Sequence, residues 1–228
     1  MDFLLDTASL DKVRECYEII NIRGVTTNPS ILARSGRSNP YVAVKELRDY
    51  LKDKGGELHV QTLSNEKGGI VREAETMLEL YGRDLFVKVP ATREGLKAIK
   101  TLSAEGVRVT ATCILSYSQA LMAALNGAKV LAVYCNRMES AGVDYADVIK
   151  DIKKTVPEAS VLGASFRTFS QVRRAFLAGA DCCTLDPGLL LSELDKRPVK
   201  DIVAKFETDW DERFGEWSAA ALMSLSGA

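Results

Sequence analysis

Histidine is the scarcest informative residue in this chain: there is one, His59. Two-histidine metal sites and Ser-His or Cys-His nucleophile pairs therefore lack material, and no metal site is expected. Cysteine is present five times (Cys16, Cys113, Cys135, Cys182, Cys183), an odd number with no C-x-x-C spacing. That pattern excludes a disulfide frame and predicts reduced, mostly buried thiols in a cytoplasmic protein. There is no surplus of either charge: 30 Lys and Arg stand against 31 Asp and Glu. A nucleic-acid or anionic-membrane partner would need a basic excess, so neither is expected. No run of about 18 apolar residues predicts a membrane span. No basic segment with a long apolar run precedes the first strand, so no secretory leader is expected.

What is present is ample for one large core: 228 residues, 46% apolar and 27% charged. Short apolar runs recur at Phe3–Asp6, Gly24–Thr27, Leu58–Thr62, Leu85–Val89, Arg108–Cys113, Val130–Tyr134, Val161–Phe166 and Cys182–Leu185. Amphipathic stretches such as Pro40–Lys54, Glu66–Tyr81 and Ser118–Leu125 separate most of them. Strand alternating with helix over short joints predicts a parallel sheet. Eight such strands suit a (β/α)₈ barrel, with a doubly wound open sheet as the alternative. Three helices should end at glycine before a strand follows, at Gly106, Gly127 and Gly179. No Pro/Gly/Ser-rich linker divides residues 1–228, which are read as a single domain with 206–228 as a C-terminal extension. Phe206, Trp210, Phe214 and Trp217 share one helical face there. That face packs on its own barrel or on a neighbouring subunit, and 224–228 should fray.

Lys88 is the most telling residue. It interrupts the apolar run Leu85-Phe86-Val87-Lys88-Val89-Pro90. On an edge strand it would reach water. On a central strand burial would disfavour its charge and leave a free amine, the form that attacks carbonyls. Side chains alternate across a strand, so with Val87 and Val89 facing the helices Lys88 points into the barrel. The same parity sends Asp6, Gln61, Thr112 and Tyr134 inward from four other strands. It sends Val109, Ala111 and Cys113 outward. All five inward polar residues fall near the C-terminal ends of their strands, where active sites of this fold lie. A buried amine would form a Schiff base with a ketone, and the protonated imine would serve as electron sink for making or breaking a C–C bond. Tyr134 is the candidate acid/base, with a water held by Gln61 and Thr112. Asp6 beside the amine would shuttle a proton or bind a hydroxyl.

Two further segments suit a sugar phosphate. Thr26-Thr27-Asn28-Pro29-Ser30 closes the second strand, and Asn28 offers both donor and acceptor. Ser165-Phe166-Arg167-Thr168 leads into a helix whose Thr168 and Gln171 fit a capping box. A helix N-terminus beside Ser165 and Arg167 is an anion site, and Arg137 adds a second guanidinium.

Gly24-Val25-Thr26-Thr27-Asn28-Pro29-Ser30, Val87-Lys88-Val89-Pro90 with Glu94-Gly95-Leu96, and Ala164-Ser165-Phe166-Arg167 together resemble the transaldolase family, over nearly the whole chain. The resemblance implies a (β/α)₈ barrel, no cofactor, and class I aldol chemistry on Lys88. Gln61, Tyr134 and Ala132 resemble the fructose-6-phosphate aldolase subgroup, where transaldolases carry Glu, Phe and Ser. It implies proton transfer supported by Tyr134 with Gln61 and Thr112. Donor hydroxyls would be bound by Asp6 and Asn28 near Thr26, and an acceptor phosphate held by Arg137, Ser165 and Arg167. It also implies a homo-oligomer of five or ten subunits. Two departures bear on donor range: Thr110-Ala111-Thr112-Cys113, and Asp186 near the end of the eighth strand. The expected activity is cleavage of fructose 6-phosphate to dihydroxyacetone and glyceraldehyde 3-phosphate, and its reverse. The rivals are a transaldolase and a catalytically silent sugar-phosphate-binding ring.

Overall fold

The computed structural model of the chain describes residues 1–215. Trp217 and the 224–228 end lie outside the described residues. Two compact units are present, one ending at Leu189 and one beginning at Leu190.

The first unit alternates strand and helix throughout. Its elements begin β1 (Asp2–Asp6), α1 (Leu10–Ile19), β2 (Gly24–Thr26), α2 (Pro29–Arg34), α3 (Pro40–Lys54), β3 (Glu57–Gln61) and α4 (Lys67–Tyr81). They continue with β4 (Phe86–Pro90), α5 (Arg93–Ala104), β5 (Arg108–Ile114), α6 (Tyr117–Leu125), β6 (Val130–Tyr134), α7 (Cys135–Ser140) and α8 (Tyr145–Thr155). Then come β7 (Ser160–Ala164), α9 (Phe169–Leu177), β8 (Cys182–Leu185) and α10 (Pro187–Leu194), which runs on past Leu189. The eight strands pair in parallel and in order, and β8 closes onto β1, as the alternation predicts. The second unit contains α11 (Arg197–Phe214), on which Phe206, Trp210 and Phe214 are exposed. No helix among the described residues is long and apolar enough to cross a membrane.

Local chemistry starts and stops these helices. Ser9, Asn39, Thr92, Ser116 and Thr168 each accept a first-turn N–H and cap the helix that follows. Gly106, Gly127 and Gly179 all take positive φ after α5, α6 and α9, as their positions in the sequence require.

Inside the barrel the alternation of side chains sets two layers. Leu4, Phe86, Val130, Ala132, Leu162 and Cys182 form a buried apolar cluster from five strands. Below it, Arg23 donates to both oxygens of Glu57 at 2.9 and 3.0 Å and reaches Asp2 at 3.4 Å. Partial burial works against the Glu57 charge, but the His59 imidazole and Arg23 guanidinium beside it outweigh that and hold its pKa at about 2. His59 stacks on Phe86 with ring centroids 4.3 Å apart, and its Nδ1 pairs with Thr110 Oγ1 at 2.8 Å. Burial pushes the His59 pKa down, so it is a neutral core residue. Two residues further along the strands the same inward face carries Asp6, Lys88, Tyr134 and Thr184.

Two strands end irregularly. The register of β5 on β6 shifts between Ala111 and Ile114, and Cys113 takes φ 58°. The bulge reverses the parity: Ile114 is fully buried, and Cys113, expected to face outward, lines the central cavity. Strand β7 stops at Ala164, earlier than the sequence suggested, because Ser165 at φ 61° turns the chain out of the sheet.

Helix α5 lies close on the end of β4. A Cβ built on Gly95 would stand 1.8 Å from the Pro90 carbonyl oxygen, an impossible approach. Gly95→Ala should therefore force α5 off the strand that bears Lys88 and destabilise the fold by about 2–3 kcal/mol, the cost of overpacking a tight site. Urea unfolding of the two proteins would measure it.

Candidate active site

One cavity of about 1090 Å³ opens at the C-terminal ends of the strands. Its walls include Asp6, Asn28, Gln61, Lys88, Thr112 and Tyr134. Ala132, Arg137, Ser165 and Arg167 also line it. Of the residues singled out in the sequence for the site, only Thr26 is absent from the cavity wall. It stands fully buried behind Asp6, donating to Asp6 Oδ1 at 2.6 Å and pairing with Thr184 Oγ1 at 2.8 Å. Its place is to orient the carboxylate.

Lys88 is 4% exposed, and its Nζ donates to the Thr27 carbonyl at 3.0 Å. Strand β4 is flanked by β3 and β5 in register, with Gln61 and Thr110 directly across from Lys88. Burial lowers the amine pKa from the 10.5 of a free lysine, and the Asp6 carboxylate opposes that shift. Desolvation wins, so the uncharged amine is more available than in water.

Tyr134 Oη accepts from Thr112 Oγ1 at 3.1 Å and from Cys113 Sγ at 3.7 Å. Burial first, and the Cys113 thiol second, raise its pKa, which keeps the phenol protonated and able to donate. Gln61 Oε1 is buried with no hydrogen-bond partner among the described residues. It is an acceptor facing the same space as the amine, where a water or substrate hydroxyl would satisfy it. Asn28 serves twice. Its Oδ1 caps α2 by accepting from Ile31 N–H at 3.0 Å, and its amide NH₂ remains for a ligand. Asp186 also lines the cavity, with Oδ1 held by Gly188 N–H at 2.7 Å at the start of α10.

Arg137 extends from α7 and Arg167 from the loop after β7, both exposed at the cavity rim. The loop is shaped by the capping box, in which Thr168 Oγ1 accepts from Gln171 N–H while the Gln171 side chain accepts from Thr168 N–H. Thr184 and Cys113 are among the wall residues not expected there from the sequence. Thr184 is signalled by inward parity on β8, two residues after Cys182. Cys113 has no such signal, because only the bulge turns it in.

A desolvated amine at the floor of the C-terminal cavity, ringed by a carboxylate, an amide and a phenol, is chemically suited to attack a carbonyl carbon. The sequence profile of the transaldolase/fructose-6-phosphate aldolase family matches residues 3–221, and the chain belongs to that family. A probable fructose-6-phosphate aldolase of Streptococcus pneumoniae (strain ATCC 700669 / Spain 23F-1) is 36% identical over 214 residues, spanning 92% of this chain and 96% of that protein. Solved structures share the fold. A thiamine phosphate pyrophosphorylase from Pyrococcus furiosus aligns with TM-score 0.60 at 16% identity, over 81% of this chain and 85% of its own. A native KDPGal structure aligns with TM-score 0.56 at 15% identity, over 80% of each chain.

Because Asp6 raises the Lys88 pKa against the pull of burial, Asp6→Asn should lower it further while keeping an acceptor for Thr26. The rate of Lys88 reductive methylation by formaldehyde, followed by peptide mass spectrometry across pH, should show a midpoint below 10.5 in the parent and lower still in the variant. A midpoint that rises would contradict this balance of charges.

Proposed function

We propose that this protein is a cofactor-free class I aldolase that cleaves fructose 6-phosphate to dihydroxyacetone and glyceraldehyde 3-phosphate and catalyses the reverse addition. The observation that carries the reading is Lys88: a buried amine with lowered pKa on the floor of the one cavity that also gathers Asp6, Gln61 and Tyr134. The free amine adds to the C2 carbonyl, and loss of water gives a protonated imine. The C4 hydroxyl passes its proton to a water beside Tyr134, the C3–C4 bond breaks, and its electron pair passes into the imine as an enamine. Glyceraldehyde 3-phosphate leaves as the aldehyde. Protonation of the enamine at C3 and hydrolysis of the imine then release dihydroxyacetone and regenerate Lys88.

Tyr134 is the proton donor, acting directly or through a water placed between Gln61 Oε1 and Thr112. Asp6 and Asn28 take the donor hydroxyls, and Ala132 leaves room beside them. Arg137, Ser165 and Arg167 hold the phosphate. The working protein is a cytoplasmic homo-oligomer, a pentamer or decamer, which the exposed aromatic face of α11 supports.

Treatment with dihydroxyacetone and borohydride should leave a reduced adduct on Lys88, and Lys88→Met should abolish it. An unmodified Lys88 in the parent protein would sink the reading. Tyr134→Phe should depress release of free dihydroxyacetone from fructose 6-phosphate by about a hundredfold, the scale of one general acid/base, and transfer to erythrose 4-phosphate less. Dihydroxyacetone appearing only when that acceptor is present would instead mark a transaldolase. Light scattering should return a mass of several protomers, which Trp210→Ser with Phe214→Ser reduces.

A further inference from the structure

Gln171 is buried, yet its side chain connects two cavity loops. Its Oε1 accepts from the backbone N–H of Arg167 at 2.8 Å and of Thr168 at 3.4 Å. Its Nε2 donates to Asn136 Oδ1 at 3.1 Å and to the carboxylate of Glu139. The acceptor half therefore fixes the loop after β7, which bears Arg167, and the donor half fixes α7, which bears Arg137 between Asn136 and Glu139. A backbone bond from Asn136 N–H to the Ser165 carbonyl at 3.1 Å draws the same two segments together. The Gln171 carbonyl receives Tyr145 Oη at 3.1 Å, so the residue is itself held from α8. A helix cap needs only the acceptor half. The donor half is spent on spanning the two loops.

We propose that Gln171 is the positioning residue that sets the spacing of Arg137 and Arg167, and with it the grip on a phosphate monoester; this rests on the reading of those arginines as the phosphate site. Gln171 touches no substrate. An exposed arginine held only by its own rotamers binds phosphate weakly, whereas two on braced backbones present a fixed pair of forks. The amide at 171 supplies the brace without adding charge beside the anion.

Gln171→Glu separates the two halves. A carboxylate still accepts from the Arg167 and Thr168 N–H groups, so the cap and the fold remain. It can no longer donate to Asn136, and it repels Glu139. Pairing it with Glu139→Gln reverses donor and acceptor and restores the span. The KM for fructose 6-phosphate should rise about tenfold in Gln171→Glu, the scale of one charge-assisted hydrogen bond, with kcat little changed. Reverse addition of dihydroxyacetone to unphosphorylated glyceraldehyde should stay within about twofold, and the double variant should regain most of the KM. Equal losses with the phosphorylated and the unphosphorylated substrate, or no loss in a folded variant, would overturn the proposal. Calorimetric titration with inorganic phosphate tests it apart from catalysis. Binding should weaken in Gln171→Glu and recover in the double variant even if Lys88 forms no adduct. Equal affinity in all three proteins, or no phosphate binding by the parent, would overturn it too.

Discussion

Everything at this site depends on removing one ammonium group from water. Lys88 lies at the level where the apolar filling of the barrel gives way to its polar mouth, and its Nζ donates to the Thr27 carbonyl. Burial disfavours the cation more than Asp6 restores it, and the balance makes the free amine easier to reach. The fold supplies the two parts of that balance from different strands. Phe86 and Leu162 beneath keep water out, and Asp6, steadied by Thr26 and Thr184, limits how far the pKa falls.

The phenol and the amine are tuned in opposite chemical senses by the same cause. Desolvation lowers the pKa of Lys88 and raises that of Tyr134. Each shift moves its group toward the neutral form. Groups whose environments drive them toward complementary roles are the usual mark of acid–base assignment. Gln61, with an unfilled acceptor nearby, adds a polar contact that does not titrate.

Most of the barrel was legible because its rule is simple. Recurring short apolar runs mark the strands, and side-chain alternation in five of them turns Lys88, Asp6, Gln61, Thr112 and Tyr134 to one space. The rule fails where the backbone stops being regular. Cys113 and Ser165 both take positive φ without being glycine, a choice no residue type announces. The bulge at Cys113 swaps its face with Ile114, and the turn at Ser165 ends β7 before its loop. Thr26, expected beside the donor-binding residues, stands one layer back behind Asp6, since a short strand does not say how deep each side chain sits. Gln171 was legible as a cap but not as a brace, because its second set of partners comes from α7, more than thirty residues upstream.

The barrel is closed at its N-terminal end by the Arg23–Glu57 pair and the apolar cluster above it. The cavity is thus a well that opens at the C-terminal ends of the strands. Lys88 sits at the bottom and the two arginines at the lip. On the aldolase reading proposed above, a sugar phosphate enters with its ketone end leading and its phosphate at the lip. The outer fragment is then the first to leave, and the fragment on the lysine leaves last.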